Sequence, residues 1–152
     1  MALFSRCLAL ASCLLAIGCV TLLTEADVEA QLAEAARPFA RMGRQQVVAI
    51  YAESRIVAFG LLAEARNDPH SKLSKQVNRR LVRTRRRGAH AVVGGPYADL
   101  SDRILANALS WSDTGGLAGL RVVFVSDAPP SPELTGAARL ARAKLYHRAP
   151  QE

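Results

Sequence analysis

Beyond residue 19 this chain has no cysteine. Its three, Cys7, Cys13 and Cys19, all fall in the first 19 of 152 residues. A disulfide framework or a cysteine metal cluster is thereby excluded for the remainder. Aromatic residues are scarce, with one Trp, three Tyr and four Phe. There is no GxSxG, no phosphate loop and no GxGxxG, and His70, His90 and His147 show neither HxxxH nor HxxH spacing. These gaps remove the usual signatures of a hydrolase elbow, a nucleotide fingerprint and a histidine metal pair. The three histidines are read as packing or surface residues. Asp113-Thr114-Gly115 spells the aspartic-protease triplet, but Ser110-Trp111-Ser112 precedes it where those proteases have an apolar strand. No catalytic residue, metal or cofactor is implied.

What is present begins with an uncharged run. Arg6 is the only charge among the first six residues, and none follows from Cys7 to Leu23. A charged start, an apolar stretch and the small residues Ala16 and Gly18 make a secretory signal. Leu15-Ala16-Ile17-Gly18-Cys19 resembles the lipobox of bacterial lipoproteins, with Ala16 standing where that family usually has Leu. The resemblance covers the signal only. It implies cleavage before Cys19, a diacylated thiol and an acylated new N-terminus carrying palmitate-type chains. It places the protein outside the cytoplasm, on the periplasmic side of the outer membrane in a Gram-negative cell. One acyl chain holds a membrane only marginally, so stable anchoring takes more than one. Cleavage also leaves Cys19 as the sole thiol. An uncleaved anchor and a cleaved, unlipidated protein remain open. With Arg6 held inside, both still put residues 25–152 on the outer side. The organisation expected is a signal peptide over 1–18, a lipidated linker over 19–24, one domain over 25–148 and a tail over 149–152.

Half of the sequence is hydrophobic, which suits a folded domain. Thr24 caps a helix from Glu25, whose apolar spacing runs through Val28, Leu32, Ala35 and Phe39 until Pro38 and Gly43 end it. The β-branched run from Val47 predicts a strand over 47–52. Residues 55–65 fit either the second arm of a hairpin or a helix. Asp68-Pro69 predicts a helix start. Ala89–Val93 and Arg121–Val125 read as buried strands, at 89–94 and 121–126. Helices follow each, the first capped by Asp99 or Ser101 and the last opened by Ser131-Pro132 with Leu134, Ala138, Ala141 and Leu145 on its apolar side. The expected fold is a small α/β domain with a short, partly parallel sheet and a right-handed crossover.

The charge is concentrated. Residues 72–87, KLSKQVNRRLVRTRRR, hold eight basic residues and no acidic one, while the rest of the chain from Cys19 onward has 11 basic and 13 acidic. At ~100° per residue, Leu73, Val77 and Leu81 form an apolar seam. Lys72, Lys75, Arg79, Arg80, Arg83, Arg86 and Arg87 occupy about 140° on the other side. This predicts an amphipathic helix with a cationic back. A solvated face is the plain reading. A functional one needs an anionic partner: lipid head groups, an acidic protein or a cell-wall polymer. Nucleic acid is disfavoured, because the segment has no aromatic to stack on bases and export separates it from that partner.

A second candidate lies where the buried strands end. Gly94 and Gly95, with Tyr97, Asp99 and Asp127, sit where open parallel sheets hold ligands. The expected function is a membrane-tethered lipoprotein with a binding or structural accessory domain. The alternative is a small enzyme or ligand-binding domain built on the Gly94–Asp99 loop, which requires Asp99 and Asp127 to converge.

Overall fold

The computed structural model describes residues 23–111 and 116–150. The signal segment with Cys7, Cys13 and Cys19, and the Asp113 triplet, lie outside them.

Helix α1, Glu25–Ala35, starts as its sequence demands. Thr24 Oγ1 accepts the Asp27 amide at 3.2 Å, and Asp27 accepts the Thr24 amide at 2.9 Å, closing a capping box. The Thr24 hydroxyl also donates to the Asp27 carboxylate at 2.6 Å, and this bond first, then the one from the Thr24 amide, holds the Asp27 carboxyl below its ordinary range. Pro38 ends α1 and sits in a 3-10 turn over Arg37–Met42. Strand β1 follows at Gln45–Ala49, two residues earlier than expected.

Residues 55–65 are helical, not a hairpin arm. Helix α2 spans Arg55–Asn67, with Ser54 Oγ accepting the Val57 amide at 3.3 Å. It buries Ala58, Leu62 and Ala65 at helical spacing. Asp68 does not cap the next helix. Its amide closes α2 on Glu64, and its carboxylate accepts the His70 amide at 2.8 Å. Ser71 is the cap of α3, Lys72–Arg86. Strand β2 is His90–Gly94, and α4 is Ala98–Ser110, entered at Tyr97 with no side-chain cap rather than at Asp99 or Ser101. Strand β3 is Arg121–Val125, and α5 is Pro132–Leu140.

The last helix is shorter than its apolar spacing suggests. Arg142 takes φ 54, a left-handed turn, and the chain reverses into a fourth strand, β4, at Lys144–Arg148. Leu145 therefore belongs to a strand. His147, expected near a frayed end, is held by an Nε2 contact of 2.8 Å to the Ser126 carbonyl.

All four strands are parallel, in the order β1-β2-β3-β4. The sheet is thus wholly rather than partly parallel. Each crossover steps the same way, and with one hand this places the crossover helices on one face. The packing agrees. Val48, Ile50, Ala91, Val93, Val122 and Phe124 meet α2, α3, α4 and α5 in the main core. The alternate residues Ala49, Val92, Val123 and Val125 meet Val28, Leu32, Ala35 and Ala36 of α1 and the turn after it. The period-2 alternation buries both faces, which is why β2 and β3 read as continuous apolar runs. Among the described residues no helix is long and apolar enough to cross a membrane.

Candidate functional site

Helix α3 carries the basic segment, and its inner stripe docks it. Ser74, Val77, Leu81 and Thr84 are buried at helical spacing. The Ser71 and Ser74 hydroxyls share a 2.9 Å hydrogen bond, and Thr84 Oγ1 donates to the Arg80 carbonyl at 2.8 Å. The polar members of the stripe are therefore satisfied inside the core. The seam was legible as Leu73, Val77 and Leu81, although Leu73 is only half-buried.

The seven cationic residues do not all end alike. Lys72, Arg79, Arg80, Arg83, Arg86 and Arg87 are exposed. Lys75 is half-buried, with its Nζ 5.4 Å from the centre of the Trp111 ring, which also meets His70 at 4.8 Å. Lys75 is thus a packing residue with a cation–π contact as much as a surface charge. Arg85, the one base off the cationic arc, donates from Nε to the Ala118 carbonyl at 2.6 Å. The ion pairs among the described residues are Arg37–Glu34 at 2.8 Å and Arg103–Glu133 at 2.5 Å, and neither involves α3. Arg79, Arg80, Arg83, Arg86 and Arg87 therefore form a cluster that makes no ion pair with a described carboxylate.

The loop candidate is arranged differently from its expectation. A Cβ on Gly94 would overlap the Val125 carbonyl oxygen and come within 2.7 Å of Leu32, and one on Gly95 would overlap the Ile50 carbonyl oxygen. Neighbouring protein, not space for a ligand, occupies the room these glycines leave. Tyr97 and Asp99 lie together, lining a cleft of about 280 Å³ with Arg55 and Phe59. Asp99 also borders a cleft of about 240 Å³ with Asp102, Arg103 and Ser131. Asp102 is committed there, accepting the Ser131 amide at 2.8 Å and its hydroxyl at 2.6 Å. Asp127 lines another cleft, of about 180 Å³, beside Gly95, Val28 and Leu32 of the α1 side. Asp99 and Asp127 share none of these clefts. The strand order supplies the reason: it never reverses, so the crevice that opens at a switch point is missing.

His90 carries a property its sequence position did not reveal. It is fully buried at the start of β2, and neither ring nitrogen has a hydrogen-bond partner. Burial first, and then the Arg121 charge, push its pKa below the ordinary value; the Arg44 carbonyl opposes them from nearby without meeting the geometry of a hydrogen bond to the ring. No cluster of His, Cys, Asp or Glu among the described residues is arranged to hold a metal ion.

The class is defined by the fold: a small α/β domain with a singly wound parallel sheet and one cationic helix. No family model, no curated protein and no solved structure matches the chain.

Proposed function

We propose that the protein is a membrane-tethered, extracytoplasmic lipoprotein whose domain serves as a binding or structural accessory, with α3 meeting an anionic surface or partner. The tether rests on the export signal and the lipobox-like Leu15–Cys19 segment. The contact rests on one observation: the exposed arginines of α3 have no carboxylate partner among the described residues. Holding several like charges on adjacent turns costs helix stability. An anionic surface offsets that cost by up to ~1 kcal/mol for each basic residue placed against it.

The chain carrying Cys19→Ser separates the electrostatic contact from the anchor. It should bind phosphatidylglycerol vesicles but not phosphatidylcholine vesicles, and rising salt should release it. Reversal of Arg79, Arg83 and Arg86 to Glu should abolish the binding. Binding indifferent to salt and to the reversals refutes the contact. Mass spectrometry of the mature N-terminus tests the tether, and an unmodified Cys19 or an intact Met1 refutes it.

A further inference from the structure

We infer that the free edge of β1 is a groove for an extended polypeptide segment of alternating acidic and basic residues, added to the sheet as a further strand. The inference rests on the reading of the α3 arginines as contact groups and adds to it an edge strand and two glutamates. Ile50 donates to the Gly94 carbonyl at 2.7 Å, and His90 donates to the Arg44 carbonyl at 2.9 Å. Alternate residues of a parallel strand turn their main-chain groups to opposite neighbours. The amides and carbonyls of Gln45, Val47 and Ala49 therefore point away from β2. Among the described residues no strand pairs with that side. The Val47 carbonyl receives only the Gln46 side chain, at 3.4 Å.

The groove has two walls of opposite charge. Beside Ala49 and Tyr51, a stretch of about 460 Å³ has Arg79, Arg80 and Arg83 on one side and Glu25 on the other. Beside Gln46 and Val47, a stretch of about 230 Å³ has Arg83 and Arg87 facing Glu29. Neither glutamate is paired with these arginines. Both helices thus run back along β1. The arginines at 79, 83 and 87, and the glutamates at 25 and 29, repeat every four residues. Four residues of helix rise ~6 Å, and two residues of strand advance ~6.6–6.8 Å. A strand added to β1 would send alternate side chains towards α3 and towards α1. Carboxylates on its first face would meet successive arginines, and ammonium groups on its second would meet the glutamates. Main-chain hydrogen bonds would supply affinity and the alternation the specificity, as in strand addition elsewhere.

The test uses the Cys19→Ser chain and fluorescent hexapeptides at low salt. Glu-Lys-Glu-Lys-Glu-Lys should bind about tenfold more tightly than its block isomer Glu-Glu-Glu-Lys-Lys-Lys, since only the former can satisfy both walls while bonded to the edge. N-methylation of one alternate set of peptide amides should abolish binding, and methylation of the other set should not. Arg83→Glu in the protein should weaken the alternating peptide. Equal affinity for the block isomer overturns the inference. So does indifference to methylation, and so does a dimer paired through β1 that excludes peptide. If hexaglutamate and anionic vesicles bind while the alternating peptide does not, the groove inference falls and the anionic-contact reading stands. If none of them binds, both fall.

Discussion

Replacing His90 with leucine should stabilise the domain at neutral pH and flatten its response to acid. The side chain is 0% exposed, and both ring nitrogens lack partners. An unpaired buried polar atom costs about 1–3 kcal/mol, and leucine of similar size removes both at little packing cost. The pH term has a definite sign. The folded-state pKa lies below the ordinary histidine value of about 6.5, so the folded ring stays neutral where the unfolded one takes a proton. This contribution is complete above about pH 6.5 and is lost as pH falls from there towards the depressed folded value. One proton taken up only by the unfolded chain gives a slope of about 1.4 kcal/mol per pH unit. Urea denaturation followed by circular dichroism, for wild type and His90→Leu at about pH 7.5 and about pH 5, measures the difference. Other groups titrate in both proteins and cancel. The wild type should lose more stability than the variant over that interval, by no more than that slope allows. Equal losses would refute the account of His90 as a buried neutral group.

Three further substitutions test the packing. Gly95→Ala forces a methyl onto the Ile50 carbonyl and should cost about 1–3 kcal/mol or more in thermal or urea denaturation. Gly60→Ala, in the middle of α2 with open space around its added methyl, should instead stabilise by about 0.5–1 kcal/mol in the same assay. Leu81→Ala empties a fully buried position under α3 and should cost about 2–5 kcal/mol, measured as a lower urea midpoint.

The parts of the fold that were legible share one property: local pattern and tertiary environment agree. His90–Gly94 and Arg121–Val125 are apolar because both faces of the sheet are covered, and α3 is amphipathic because one face is not. The rest fails for identifiable reasons. Residues 55–65 fit two periods at once, and the deciding signal was the single hydroxyl of Ser54 as a cap. Strand β4 was hidden because Leu134, Ala138, Ala141 and Leu145 keep helical spacing across a break made at Arg142, a residue that does not advertise a left-handed turn. The basic face was readable as a set of charges. Its division into the free arginines, a Lys75 held over Trp111 and an Arg85 tied to Ala118 depends on neighbours distant in sequence. Gly94 and Gly95 were read as part of a ligand loop, but what lies against them is Val125, Leu32 and Ile50.

The Tyr51 hydroxyl donates to the Leu23 carbonyl at 2.7 Å, just ahead of the Thr24 cap. That bond fixes how the domain bears tension. A pull on the chain ahead of Leu23 loads this hydrogen bond and then the end of α1. Helix α1 would peel from the sheet like a strip lifted at one end, breaking contacts in sequence rather than together. It would bare Ala49, Val92, Val123 and Val125 while the four crossover helices kept the opposite face closed.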